Sequence, residues 1–377
     1  MYRQHEDESS TVQTLLVTLV TLHCRGQLAR RCDGAMSWLL MFASIVGIID
    51  AYRLTMSSVP VPVQVADKLI SSVFAVKPLF KLAAKGARNK MIQQGLSIGV
   101  DWDKSREIFQ SKMDVIEHEY NKLTNKNLIY PDYYLKEFHA YENGNLGWDA
   151  AFEVESAALT VHSPIFVANK GDPLQFNGDN QLRDNFHKNM KQIFGKNDFK
   201  PKKILDVGCS TGLSTMKLLE SFPEAEIIGM DLSPHMLAVA KFNLLSNFSA
   251  RKSISYIHGL GEDTSLGNGD VNLVTACLIA HELPAAITKQ VLIEAYKILP
   301  SGGAFSLMDI NPKSLFFQKF ASNPFAFAAF KSTEPWIQSY VKLDLEQTLE
   351  EVGFRYTLNY NLMITLSSLT NSFITAQ

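Results

Sequence analysis

The C-terminal half of this 377-residue chain predicts an α/β fold built on a parallel sheet, and three observations carry that expectation. From about Pro201, short apolar runs alternate with stretches of helical periodicity, the pattern of strands joined by crossover helices. The first run, Lys203–Val207, drops into a glycine-bearing turn, ILDVGCSTGLS over residues 204–214. The second run ends at Asp231, 25 positions after Asp206. In a doubly wound sheet that is where a ligand sits, beyond the carboxyl ends of the strands.

The elements follow in order. Leu213, Met216, Leu219 and Phe222 recur every three residues and give one apolar helix face, which stops at Pro223. Glu226–Met230 is the second strand. Ser233 then serves as an N-cap and Pro234 as a first helical residue, where its missing N–H costs nothing. Ser253–His258 alternates polar and apolar residues as a third strand. Val271–Cys277 is the fourth, followed by HELP (His281–Pro284) and a helix up to Leu299. Pro300-Ser-Gly-Gly turns the chain into a fifth strand, Ala304–Asp309. The tail offers a helix over Leu343–Val352, Gly353 as its C-cap, and strands over Phe354–Asn359 and Leu362–Leu369.

The N-terminal half has a different texture. Residues 1–62 form a leader with two apolar stretches, Thr14–Leu22 and Trp38–Ile49, separated by Arg25, Arg30 and Arg31. Neither reaches the roughly 18–20 apolar residues that span a bilayer. The leader reads either as a targeting or membrane-associating segment or as an extension packed on the body. Glu6, Asp7 and Glu8 fit poorly with a typical transit peptide. Residues 63–190 read as a helical accessory region and 191–377 as the sheet domain. Gln64–Gln93 is basic and helical, divided by Pro78 into two helices. Its basic face is either the solvated side of a packed helix or a peripheral membrane contact, which together with the leader would span residues 14–93. Residues 104–125 read as one helix, and Trp148 begins another after an aromatic segment with a turn at Gly144–Gly147.

Composition limits the function classes. Hydrophobic residues make up 46% and charged residues 20% of the chain, so a sizeable core is available. The formal net charge of −2 gives no global basic field for nucleic acid. Cys24, Cys32, Cys209 and Cys277 form no CxxC pair, and no histidines stand at zinc-ligand spacing. Neither a disulfide framework nor a metal is expected.

The glycine turn carries the chemistry. Gly208 and Gly212 let backbone N–H groups approach a ligand closely, and the following helix points its positive end at an anionic group. A dinucleotide G-x-G-x-x-G would need glycine where Ser210 and Leu213 stand, which counts against a nicotinamide oxidoreductase. The Asp231 carboxylate can accept from both ribose hydroxyls of a nucleoside ligand.

Asp206 through Gly212, read as D-x-G-x-x-x-G, resembles motif I of the class I S-adenosylmethionine-dependent methyltransferases, and the resemblance runs over Lys202–Leu369. It implies a Rossmann-like sheet of seven strands, the last antiparallel, with an N-terminal mainly helical extension. It also implies S-adenosylmethionine as co-substrate. Asp206, Gly208, Cys209, Ser210 and Gly212 would surround its amino-acid end, with Asp231 and Leu232 at the ribose, Leu260 and Gly261 at the adenine, and Ala276 and Cys277 lining the pocket. Leu260 replaces the acid expected in the family, so the adenine contact falls to backbone, Glu262 or Asp263. Lys297–Pro312 and the HELP turn resemble the ubiquinone/menaquinone-type branch, methyltransferase type 11. The segment FHAYENGNLGWDAAFEVESAALTVH, ending at His162, resembles members of that branch from plant and algal plastids. That implies a chloroplast address, with cytoplasm or a membrane-associated location as the alternative.

The implied activity is methyl transfer to a small, lipophilic acceptor. The alternative is a non-catalytic protein of the same fold acting in complex assembly. His281 is the candidate general base, with Glu282 beside it to orient the ring or touch the acceptor. Alternatively, HELP merely starts a helix, with Pro284 as first helical residue. Phe316, Phe317, Phe320, Phe325, Phe327 and Phe330 crowd the segment Ser314–Lys331. They read either as an apolar lid over the acceptor or as a helix packed on the sheet edge. His235 and His258 read as structural.

Overall fold

Strands buried on both faces read as near-continuous apolar runs, and the centre of the molecule is built from five of them. In the computed structural model these are β1 (Lys203–Val207), β2 (Glu226–Asp231), β3 (Ile254–His258), β4 (Leu273–Cys277) and β5 (Ala304–Met308). All are parallel, in the order β3-β2-β1-β4-β5, so the winding reverses between β1 and β4. Asp206 is in register with Gly229 on one side and Thr275 on the other. The structure describes residues 77–139, 141–167, 172–247, 253–322, 327, 330–331, 333–359 and 373–376. They all belong to one compact unit, Ala66–Gln377. The leader stretches Thr14–Leu22 and Trp38–Ile49 lie outside the described residues, as does the strand expected over Leu362–Leu369.

The helices are α1 (Lys77–Ser97), α2 (Trp102–Gln110), α3 (Met113–Leu123), α4 (Trp148–His162), α5 (Gly178–Lys196), α6 (Leu213–Ser221), α7 (Pro234–Asn247), α8 (Ala285–Ile298), α9 (Leu315–Ala321), α10 (Ile337–Val341) and α11 (Leu345–Val352). Because side chains alternate along a strand, the sheet feeds two cores. Leu205, Val207, Ile228, Val274 and Phe305 face α8 and α11 through Val291, Leu292, Ile298 and Leu349. Ile204, Ile227, Ile254 and Leu273 face α5, α6 and α7 through Leu182, Phe186, Leu218 and Leu237. The other side of α7, with Met236 and Val239, packs on Phe109, Ile116 and Phe152 of the helical cap. Two short strands, β6 (Tyr356–Asn359) and β7 (Phe373–Ala376), continue the sheet past β5. There β7 runs antiparallel to β5, and β6 antiparallel to β7.

Several expectations are corrected. Residues 104–125 form two helices, because the chain breaks at Ser111 and Lys112, with Lys112 at φ −118°. Pro78 lies in the first turn of α1, where proline is tolerated, and the stretch expected to form a helix before it lies outside the described residues. Pro284 is the N-cap of α8 with ψ 141°, not its first helical residue, and His281 belongs to a separate 3₁₀ turn, Ala280–Glu282. The 190/191 boundary falls inside α5, whose apolar face covers the sheet. Among the described residues no helix is long and apolar enough to cross a membrane.

Gly229 of β2 tests the packing. A Cβ there would lie 2.7 Å from Tyr256 Cδ1 and 2.9 Å from Cys209 Sγ. Gly229→Ala is expected to cost about 1–3 kcal/mol by overpacking, read as a lower urea midpoint at unchanged m-value.

Candidate active site

A buried carboxylate anchors the turn. Asp206 is 1% exposed. Its Oδ2 accepts from Thr215 Oγ1 at 2.7 Å and its Oδ1 from Thr275 Oγ1 at 2.9 Å. Burial pushes its pKa up to about 6, against the pull of the two hydroxyls and Arg183. Above it, Gly208, Ser210 and Gly212 take φ of 66°, 50° and 85°, all in the left-handed region. A side chain at Gly208 would also run into Ile279, so both backbone and space demand glycine. Gly208 and Cys209 donate their N–H groups to Met230 O at 2.8 and 3.0 Å, and Ser210 N donates to Asp231 Oδ2 at 2.8 Å. No side chain caps the start of α6 at Gly212, so its first-turn N–H groups can receive an anion.

The turn opens on a cavity of about 990 Å³. Gly208, Cys209, Ser210, Asp231, Leu232, Gly261, Cys277, His281 and Glu282 line it. Four other expected residues stand behind the lining. Asp206 and Ala276 are buried within β1 and β4. The Gly212 Cα faces Tyr256 and Ala240. Leu260 makes an antiparallel bridge with Asp263. Of the two acids in that loop, Glu262 reaches the cavity and accepts from Tyr133 O–H at 2.6 Å. Asp231 is half-buried, and its Oδ1 accepts from Ser233 N at 2.8 Å with Tyr134 O–H at 3.5 Å. Burial raises its pKa, opposed by the Ser233 and Ser210 amides.

Arg183 was not foreseen. Its Nε and Nη2 donate to Asp179 at 2.9 and 3.2 Å, and Nη1 donates to Ser214 Oγ at 2.6 Å and approaches Cys277 Sγ at 3.3 Å. Asp179 also pairs with His162 Nδ1 at 2.7 Å. Burial works against the Arg183 charge, but Asp179 outweighs it and holds the guanidinium cationic beside the turn. The i,i+4 spacing of Asp179 and Arg183 was the available signal. Burial raises the Cys277 thiol to about 11 and Cys209 well above its ordinary value, so neither is a nucleophile near neutrality.

Asp309, one residue past β5, was also missed. Its Oδ2 accepts from Ala280 N at 2.7 Å and His281 N at 3.3 Å, while Oδ1 accepts from Ile310 N at 2.7 Å and His281 Nδ1–H at 2.6 Å. That commits Nδ1 and leaves Nε2 as the ring nitrogen available to the cavity. Burial would lower the His281 pKa, but Asp309 raises it to about 10. Glu282 beside it is raised by burial, with His139 and His281 opposing. His235 and His258 do not line the cavity. His258 accepts from Asn125 N and bonds Leu232 O, and His235 packs between a tilted Tyr120 and an edge-on Trp148.

Phe317, Phe320 and Phe330 line the cavity beside Tyr133 and Trp336, and Phe327 packs edge-on against Phe317. The side chains of Phe316 and Phe325 lie outside the described residues. The described phenylalanines therefore wall the cavity as well as packing on the sheet core.

Fold and site together are similar to those of the class I, S-adenosylmethionine-dependent methyltransferases. Residues 204–303 match the family described as methyltransferase domain. Over 155 residues the chain is 30% identical to an uncharacterized methyltransferase of Synechocystis sp., covering 41% of this chain and 66% of that protein. Over 117 residues it is 33% identical to the demethylmenaquinone methyltransferase of Lactococcus lactis, covering 31% of this chain and 44% of that protein. The chain thus spans just under two thirds of the first relative and less than half of the second. A crystal structure of a SAM dependent methyltransferase from Aquifex aeolicus aligns over 50% of this chain and 88% of its own, at 15% identity and a TM-score of 0.37.

The His281–Asp309 pair has a pH signature. His281 titrates near 10 in the fold against an ordinary value of 6.5. Its pairing therefore stabilises fully below about pH 6.5 and is lost as pH rises to about 10. The thermal-stability gap between wild type and His281→Gln should be widest near pH 6.5 and shrink steadily toward pH 10. A gap independent of pH would contradict the pairing.

Proposed function

We propose that this protein is an S-adenosylmethionine-dependent methyltransferase acting on a small, largely apolar acceptor. One observation carries the reading: the glycine turn, the Asp231 carboxylate and the His281–Asp309 pair all meet on a single cavity. The residues fit the cofactor on their own chemistry. The uncapped start of α6 and the cationic Arg183 suit a carboxylate, and Asp231 suits paired ribose hydroxyls. When bound, S-adenosylmethionine supplies an electrophilic methyl group on a sulfonium sulfur.

The chain's own residues do the positioning. Arg183 and the first turn of α6 receive the carboxylate, while Leu232 and Cys277 give apolar contact. Orientation and exclusion of water in such a site can account for about 7–11 kcal/mol of barrier. The raised pKa alters the role expected for His281. Near neutrality Nε2 holds its proton, so the ring stabilises an acceptor oxygen as that oxygen loses its own. Glu282, raised by burial, stands beside it to take up a proton.

The quinone-type branch is supported by Lys297–Pro312, the HELP turn and the likeness to demethylmenaquinone methyltransferase, which favour a ring-bearing acceptor. Strands β6 and β7 are read as completing the seven-stranded methyltransferase sheet with its last strand antiparallel. A plastid address and peripheral membrane contact through residues 14–93 belong to the same reading, and import of a fluorescent fusion by isolated chloroplasts tests the address.

Calorimetric titration with S-adenosylhomocysteine is expected to show saturable binding, with none for NAD. Arg183→Met should weaken that binding by about tenfold or more. No stabilisation by saturating S-adenosylhomocysteine would overturn the methyltransferase reading. Binding without turnover of any acceptor would favour the non-catalytic alternative.

A further inference from the structure

One wall of the cavity holds a carboxylate that is only half used. Glu334 is 4% exposed and lines the cavity. Its Oε1 lies 2.6 Å from His139 Nε2, while Oε2 is buried with no hydrogen-bond partner. Buried polar atoms in native proteins are nearly always paired, and leaving one unpaired is costly. Because Glu334 lines the cavity, this unmet oxygen becomes a receptor for a ligand's donor once the carboxyl group turns toward the lumen.

The surroundings define that donor. His139 bridges two acids, with Nε2 also 3.9 Å from Glu282 Oε1. It sits in the left-handed region at φ 49°, and its N–H donates to Thr333 O at 2.9 Å. Trp336 Nε1 donates to Tyr133 O at 3.4 Å. These bonds join the segment around Tyr133–Tyr141 to the segment around Thr333–Ile337, forming a roof whose inner walls are Tyr133, Phe330 and Trp336. Strain of this kind at a non-glycine residue is held where the site needs it.

Charge then separates the candidates. His281 is matched by Asp309 and His139 by Glu334, each imidazole raised by its carboxylate against desolvation. Glu334 thus already faces a cation at 2.6 Å, and its second oxygen calls for a hydrogen-bond donor rather than another charge. An ammonium would be a third cation beside two imidazoliums, whereas a neutral O–H would satisfy Glu334 without adding charge.

We propose that the chamber binds a neutral, ring-bearing acceptor whose hydroxyl group donates a hydrogen bond to Glu334 Oε2, with the aromatic walls of Tyr133, Phe330 and Trp336 against its ring. Its role as the methyl acceptor rests on the methyltransferase reading of the same cavity; its binding does not.

The test compares 2-naphthol, its methyl ether and 2-naphthylmethylammonium by calorimetry on the full chain, with and without S-adenosylhomocysteine. The ether keeps the ring and removes the donor. Wild type is expected to bind the naphthol at least about tenfold more tightly than the ether. In Glu334→Gln the ratio should fall toward one while affinity for S-adenosylhomocysteine is unchanged. Equal affinities in wild type, tightest binding by the ammonium, a ratio that survives the substitution, or no binding by any of the three would each overturn the proposal. Should Glu334→Gln fail to fold, the wild-type comparison decides alone. Failure of S-adenosylhomocysteine to bind strikes the cofactor reading instead, because the naphthol ratio is also measured without it.

Discussion

A carboxylate sealed inside a sheet must be met by hydrogen bonds, and the way Asp206 is met sets the geometry of everything above it. Its two oxygens take hydroxyls from Thr215 on α6 and Thr275 on β4, so one strand end draws a helix and a neighbouring strand toward a single point. The chain between Asp206 and Thr215 then has little freedom. It turns through three left-handed residues and hands two N–H groups to Met230 at the end of β2. The helix start is left pointing at open space, and the Asp231 carboxylate is fixed beside it by Ser210 and Ser233. Asp206 does not line the cavity, yet it shapes the floor that does.

The floor was legible in the sequence because its causes are local. Apolar runs, a glycine turn and an N-cap at Ser233 are each decided within a few residues, and the parallel strands followed from them. Arg183 was less legible. The apolar positions Leu182, Phe186, Met190 and Ile193 do mark one face of α5, but that helix is rich in polar residues and its contact with Ser214 is a tertiary fact. The break at Ser111 and Lys112 and the placement of Pro284 were decided by how the neighbouring turns pack, which propensity does not see.

The roof was not legible at all. His139 and Glu334 are ordinary residues in their own surroundings, and only the fold sets one against the other. Asp309 looks like any acid ending a strand until the 3₁₀ turn brings His281 to it. A reading by motif therefore found much of the cavity floor, and missed Glu334, His139 and Asp309 around its walls. The phenylalanine run lies between these cases. Its density announced an apolar surface, but not that part of that surface would face a cavity.

The seam between Tyr133–Tyr141 and Thr333–Ile337 joins stretches that flank the five parallel strands in the chain. Contacts of such separation must be closed against the entropy of a long loop. It follows that the floor of the cavity is held by bonds between neighbouring strands and their turns, whereas this wall is held by a few bonds between stretches far apart in the chain.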